Sequence, residues 1–128
     1  MKNIRAKRET SREYLMKLMY QTYISNGDIT DLENEMEEFL QNNKEYIVSR
    51  YKELVLTYSD KDVDFEGLSL EKCVDRVYLN EMCDILRFKI DYINELIENN
   101  AKNWSINRFS KIDLAILQIA IAEILSDL

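Results

Sequence analysis

Residues 111–125 read KIDLAILQIAIAEIL, and this stretch decides the fold. From Ile112 onward its only polar residues are Asp113, Gln118 and Glu123. These three lie five residues apart, so on a helix each is turned by about 140° from the one before, and no polar face forms. A helix that is apolar on all sides is normally packed on all sides. The pattern therefore predicts the central helix of an all-α bundle.

Turn-forming residues are scarce in the rest of the chain. Its 128 residues include no proline and only two glycines, Gly27 and Gly67. Such a composition favours long helices with short connections over a sheet. No apolar run approaches the roughly 20 residues that span a bilayer, and no apolar segment of a signal peptide follows the basic N-terminus. We therefore expect a cytoplasmic protein without a membrane segment.

Helical periodicity and capping boxes predict five to six helices in one domain over residues 10–128, preceded by a flexible basic arm over residues 1–9. Thr10, Thr30 and Ser110 each begin a capping box, and the first helix is expected over about residues 10–25. A third helix is expected from about Ile47 to Tyr58, and a loop over 59–68. A long helical stretch follows Ser69, with a break near residues 87–89.

Catalytic and metal-binding residue types are poorly represented. Histidine, the commonest general base and metal ligand, is absent. Two isolated glycines exclude a glycine-rich phosphate loop. Cys73 and Cys83 are expected to be free, buried thiols of a reducing cytoplasm. We therefore expect neither an enzyme nor a protein with a metal or cofactor.

Charge is distributed unevenly along the chain. Residues 1–20 contain six cations and two carboxylates, a net charge of +4, whereas the whole chain carries −7 and the remaining 108 residues therefore −11. A basic segment on an acidic body indicates nucleic-acid contact through that segment. The alternative is that these cations only keep the N-terminal segment hydrated and bind no nucleic acid.

The last third of the chain carries a recognisable motif. Residues 103–117 read NWSINRFSKIDLAIL, followed by Ile119-Ala120 and Glu123-Ile124-Leu125. This resembles the NusB family, whose pattern is a tryptophan, a polar turn ending in an arginine and a hydrophobic residue, and a helix containing Ala-Ile-Leu and later Glu-hydrophobic-Leu. Near the N-terminus, Ser11-Arg12-Glu13 and the residues up to Gln21 resemble the first helix of clostridial-type members. The resemblance covers about residues 8–24 and 74–125.

The resemblance implies a helical bundle that binds the boxA element of ribosomal RNA leaders together with NusE, a small-subunit ribosomal protein. The complex acts in transcription antitermination with RNA polymerase. The implied NusE contacts lie near Tyr20, Ile24 and Asp113. The implied RNA contacts are the cations of the arm and the start of the first helix, namely Lys2, Arg5, Lys7, Arg8 and Arg12.

Several of these residues have a structural alternative. Arg12 lies three residues before Leu15, near the apolar side of its helix, and is also suited to pair with a carboxylate at the edge of the core. Asp113 is also suited to a role in the helix cap alone, and Tyr20 to a place in the core. Trp104 is expected to be a core anchor rather than a platform for RNA.

The chain departs from the family pattern in two ways that matter. Gln118 replaces the usual arginine of the Ile-Leu-Arg motif, and the two helices that usually follow the central helix are not in this sequence. We therefore expect one side of the central helix to lack a partner and to form a homodimer through residues 112–125, unless the long middle helix bends over to cover it. Two other functions remain open: an RNA-binding fragment of a ribosomal RNA cytosine methyltransferase, and a protein scaffold that has lost RNA binding.

Overall fold

The computed structural model describes residues 3–59, 64–102 and 105–126. Within these ranges the secondary structure is helical, without a strand, which confirms the prediction of an all-α fold. Two short 3-10 helices, Ile29–Asp31 and Ile106–Arg108, accompany the α-helices. The six α-helices are α1 (Ile4–Ile24), α2 (Leu32–Asn42), α3 (Lys44–Tyr58), α4 (Leu70–Cys73), α5 (Arg76–Asn100) and α6 (Lys111–Leu125).

The first helix begins earlier than the sequence predicts. It starts at Ile4 rather than near Thr10, so the prediction of a flexible arm is wrong for residues 4–9. Ala6 is 1% exposed and packs in the core, and this burial stabilises the early turns. Thr10 is not an N-cap, because its Oγ1 donates a hydrogen bond to the carbonyl oxygen of Ala6 at 2.7 Å. Lys2 lies outside the described residues.

Of the other two predicted capping boxes, the structure bears out one. Ser110 caps α6, since its Oγ accepts a hydrogen bond from the backbone N–H of Asp113 at 3.1 Å. Thr30 is not a cap; its own N–H donates to the carboxylate of Asp28, which caps the 3-10 helix that precedes α2. The aspartate accepts more strongly than the threonine hydroxyl and therefore sets the start of this element.

The middle of the chain is more divided than predicted. The stretch after Ser69 forms two helices, α4 and α5, and Asp75 caps the second by accepting from the N–H of Tyr78 at 3.0 Å. The predicted break near residues 87–89 is confirmed, because Lys89 has non-helical angles (φ −120°, ψ 16°) and kinks α5. Cys73 and Cys83 therefore lie in different helices, and both are buried and free.

Helix α6 packs mainly against α5 and α1, and is covered on one side only. Its buried side contains Leu114, Ala115, Gln118, Ile119 and Ala122. Its opposite side is exposed along a line of residues four apart, which we name the α6 ridge: Ile112, Ile116, Ala120 and Ile124. The expectation of a helix packed on every side is therefore wrong among the described residues, and the expectation of one uncovered side is confirmed.

The kinked middle helix does not cover the α6 ridge. The half of α5 beyond Lys89 packs against α6 and buries Ile93 and Ile97, yet Ile116 remains 51% exposed and Ile124 81% exposed. Trp104, the predicted core anchor, lies outside the described residues. Among the described helices none is long and apolar enough to cross a membrane.

Candidate nucleic-acid and partner interface

Arg12, one of the predicted RNA-binding residues, lies in an ion pair between the first and last helices. Its Nε and Nη2 donate to the two carboxylate oxygens of Glu123 at 2.7 and 2.9 Å. The hydroxyl of Tyr78 donates to the same carboxylate at 2.8 Å. The hydrogen bond from Arg12 to Glu123 raises the pKa of the guanidinium further. Arg12 thus has the carboxylate partner that its position near the apolar side suggests.

The electrostatics of Glu123 reflect two opposing effects. Partial burial favours the neutral acid, whereas the hydrogen bonds from Arg12 and Tyr78 favour the carboxylate. The net result is a lowered pKa of Glu123, so the group is ionised at neutral pH. Tyr78 is fully buried, and its pKa is raised first by burial and then by the neighbouring carboxylate.

Arg8 makes a second link on the same face of α1. Its Nε lies 3.2 Å from Oδ2 of Asp75, and its guanidinium carbon lies 4.7 Å from the centre of the Tyr78 ring. Asp75 is further held by its backbone N–H, which donates to Oγ of the buried Ser11 at 2.8 Å. Because Asp75 also caps α5, Arg8 contributes to positioning the start of that helix.

Arg5 is the most exposed arginine in the described part of α1. Its side chain is 71% exposed, and its guanidinium carbon lies 3.9 Å from the centre of the Tyr58 ring at the end of α3. Glu9 accepts hydrogen bonds from the Tyr58 hydroxyl and from Arg5, and these lower the pKa of Glu9, the tyrosine contributing most. The sequence pattern predicts Tyr58 only as the end of the third helix and gives no sign of this contact.

Lys7 lies on a different side of α1 from Arg5. It is half-buried, and it lines a shallow surface pocket near Glu71 and Asp75 at the start of α5. The four described cations of the predicted RNA site are therefore brought together along one helix but in different surroundings. Arg8 and Arg12 are held by carboxylates of other helices, whereas Arg5 presents its guanidinium to solvent.

The predicted partner-binding residues lie at the opposite end of α1. Tyr20 is 38% exposed and Ile24 is 53% exposed, and Asp113 is exposed in the first turn of α6. Tyr23 donates to Gln118 whereas Arg12 pairs with Glu123, so α1 and α6 run antiparallel. This direction places the end of α1 beside the start of α6. The three predicted residues therefore lie at one end of the bundle.

Gln118, which stands where the family has arginine, is a buried junction of three helices. It is 1% exposed. Its Oε1 accepts from the hydroxyl of Tyr23 at 2.7 Å, and its Nε2 donates to Oδ1 of Asn94 at 2.9 Å. A neutral amide makes these two bonds without placing a charge in the core, which explains how α6 accommodates a polar residue on its covered side.

A groove of about 700 Å³ runs between α1 and α6, with one wall that includes Ile116, Ala120 and Ile124 of the α6 ridge. The acidic and basic side chains along it are paired: Arg12 with Glu123, Arg50 with Glu13, and Glu9 with Arg5. Its apolar lining consists of Met16, Ile116, Ile119, Ala120 and Ile124. The groove therefore presents an apolar surface with a neutralised rim, which suits association with another apolar surface.

Comparisons with known proteins agree with this architecture. A family model described as "NusB family" matches residues 9–127. The transcription antitermination protein NusB of Clostridium botulinum (strain Hall) is 35% identical over 117 residues, covering 91% of this chain and 71% of that protein. The protein of the same name from Clostridium tetani is 34% identical over 119 residues, covering 93% of this chain and 72% of that protein. The protein of the same name from Clostridium novyi is 31% identical over 118 residues, covering 92% of this chain and 68% of that protein.

No solved structure matches the chain significantly. The relatives above are named as transcription antitermination proteins. Since the family match covers almost the whole chain and the relatives align along more than nine-tenths of it, the chain belongs to the NusB family.

Proposed function

We propose that this protein is a non-catalytic transcription antitermination factor that binds boxA-type RNA together with NusE. The observation that carries the proposal is family membership. The cations of α1 support it, because lysine and arginine neutralise phosphates and release counterions on binding. Arg5 is the described cation best placed for such contact, and Lys7 and Arg8 lie within one turn of it. The proposed place of action is the cytoplasm, with RNA polymerase.

The proposed NusE surface is the end of the bundle that carries Tyr20, Ile24 and Asp113. Two of these side chains are large, apolar and exposed, and one is a carboxylate. Aromatic and aliphatic anchors beside a charge are typical of protein interfaces. RNA contact near the start of α1 and protein contact near its end leave both partners room on one helix, since its 21 residues extend over roughly 30 Å.

The test of this function is a titration of labelled boxA RNA and a scrambled RNA of equal length, each with and without NusE. We expect NusE to increase the affinity for boxA RNA more than for the scrambled RNA. We also expect the affinity to fall steeply as salt is raised, because each neutralised phosphate contributes to the slope. Equal binding to both RNAs in the presence of NusE would contradict the proposed specificity.

We also propose that the chain forms a homodimer through residues 112–125. The charged side chains beside the α6 ridge are paired internally, so they do not oppose contact with a second apolar surface. The α6 ridge is itself such a surface, and it is exposed beside the groove. A two-fold axis brings the same patch of each copy against the other, so ridge and groove are covered together.

A further inference from the structure

Each of the three arginines in the described part of α1 lies near a tyrosine ring, but only one of the three pairs faces solvent. Arg8 and Arg12 both lie against Tyr78, at 4.7 and 5.8 Å from its centre, and that ring is fully buried. Arg5 lies against Tyr58, a residue that is 39% exposed. The first two contacts therefore belong to the core edge, whereas the third is available to a ligand.

Glu9 holds both side chains of the Arg5–Tyr58 pair in place. Glu9 accepts from the Tyr58 hydroxyl, and its Oε1 lies 3.4 Å from Nε of Arg5. One carboxylate thus fixes the ring and the guanidinium together. The guanidinium carbon lies 3.9 Å from the ring centre, close to van der Waals contact, and the rest of the Arg5 side chain remains open. Prior ordering of both groups lowers the entropy that a ligand must lose on binding.

A flat, ordered cation on an aromatic ring has a specific chemical use. Unpaired bases of single-stranded RNA stack on aromatic rings and on guanidinium planes. Duplex RNA does not offer these faces, because its bases are stacked on one another. The guanidinium also attracts a nearby phosphate, so base and backbone are recognised by the same side chain.

We propose that the Arg5–Tyr58 pair is a stacking platform for one unpaired nucleobase of single-stranded RNA. This inference rests on the proposed RNA-binding function and assigns a role to a residue of α3, outside the basic segment of α1. The competing explanation is a surface contact that only ties α1 to α3. Such a contact contributes to stability but not to RNA affinity.

The experiment compares Tyr58→Leu, Tyr58→Phe and Arg5→Lys with the unchanged protein. Tyr46, which is 71% exposed on the same helix, provides the matched control Tyr46→Leu. Loss of the ring in Tyr58→Leu is expected to weaken binding of single-stranded RNA by about tenfold, the usual effect of removing one stacking partner. Tyr58→Phe keeps the ring and is expected to bind within about twofold, as is Tyr46→Leu.

Arg5→Lys removes the planar guanidinium but keeps a positive charge at this position. It keeps the cation, so the dependence of affinity on salt is expected to stay the same while the affinity itself falls several-fold. A second readout is the fluorescence of 2-aminopurine placed at successive positions of the RNA. The unchanged protein is expected to alter it at one position, and Tyr58→Leu to abolish that change. Thermal melting of each variant shows whether it is folded.

The outcomes separate this inference from the function on which it rests. If the unchanged protein binds single-stranded RNA and both Tyr58→Leu and Arg5→Lys bind it equally well, the platform is refuted and the proposed function stands. If the unchanged protein binds no RNA with or without NusE, the proposed function fails and the platform with it. A loss of RNA affinity in Tyr46→Leu as large as that in Tyr58→Leu would also refute the platform.

Discussion

At the scale of single residues, Arg12 and Glu123 join the first and last helices of the described chain. The pair is bidentate, and the partners are 111 positions apart in the sequence. A planar guanidinium meets both oxygens of a carboxylate, whereas a lysine ammonium acts as a point charge and fixes less geometry. Tyr78 adds a third hydrogen bond from α5. Three helices therefore meet at one carboxylate.

Arg12→Ala is expected to lower the free energy of unfolding by about 1–2 kcal/mol, because Glu123 keeps only the bond from Tyr78 and loses its charged partner. Partial exposure of both side chains keeps the loss below that of a fully buried pair. The control is Lys17→Ala on the same helix, whose exposed i,i+4 pair with Glu13 contributes no more than about 0.5 kcal/mol. Urea denaturation measures both. Equal effects in the two variants would show that the Arg12 pair is not structural.

The same carboxylate makes stability depend on pH in the acid range. The pKa of Glu123 is lower in the folded state than its ordinary value of 4.5, so its contribution is present above that value. The contribution is lost as pH falls through the lower pKa of the folded state. Glu123→Gln removes the titrating group, and we expect the melting temperature of that variant to fall less steeply than that of the unchanged protein below about pH 4.5. Parallel curves for the two proteins would contradict this prediction.

Residue spacing predicted some of these contacts and not others. The position of Arg12 three residues before Leu15 indicated that a carboxylate partner was possible, but periodicity on one helix does not say which helix faces it. The contact between Arg5 and Tyr58 joins α1 to the end of α3, and neither residue carries a local signal for the other. Pairing between distant helices is fixed by tertiary packing, which sequence periodicity alone does not contain.

At the scale of elements, local signals predicted the start of α6 but not the start of α1. The kink of α5 and the cap of α6 at Ser110 follow from residues within a turn of each feature. The start of α1 does not, because Thr10 resembles a cap in sequence but is buried in the structure. Burial of Ala6 and Thr10 stabilises the helical turns that precede the apparent capping box. Tertiary packing therefore overrides the local preference for a helix start at Thr10.

Two alanines of α6 test which side of that helix is covered. Ala122 is fully buried and Ala120 is exposed, although they are only two residues apart. Ala122→Leu is expected to lower the free energy of unfolding by about 1–3 kcal/mol, because added methylenes force neighbouring core side chains from their preferred rotamers. Ala120→Leu places the same atoms at the surface and is expected to change the free energy of unfolding by about 0.5 kcal/mol or less. Chemical denaturation at low protein concentration makes the comparison. Equal losses in both variants would show that α6 is packed on both sides.

At the scale of the whole molecule, α1 organises the bundle and carries the proposed contacts. It packs against α2, α3, α4, α5 and α6, so the helix with the basic residues is also the helix that the core is built around. The order of helices along the chain does not predict this arrangement. Binding of a partner to the exposed side of α1 is therefore expected to leave the core unchanged.

The α6 ridge has a size pattern that suits a second copy of the same chain. In an antiparallel two-fold pairing centred at the level of Gln118, Ile116 lies opposite Ala120 of the second copy, and Ile112 lies opposite Ile124. The large side chain of each copy then meets the small one of the other near the axis, as interdigitating helices require. The chain alone exposes these isoleucines to water, and contiguous exposed apolar patches are typical of interaction sites.

We therefore expect the protein to sediment at about twice its chain mass of 15.3 kDa at micromolar concentration. Ile116→Lys places a charge at the centre of the interface and is expected to give the monomer, because a buried unpaired charge opposes association. The matched control is Val77→Lys, which changes an apolar residue that is 66% exposed on α5, away from the ridge, and is expected to remain a dimer. Analytical ultracentrifugation distinguishes the two masses. A monomer of the unchanged protein at the highest concentration reached, together with no binding of a hydrophobic dye, would refute both the dimer and the exposed ridge from which it is inferred.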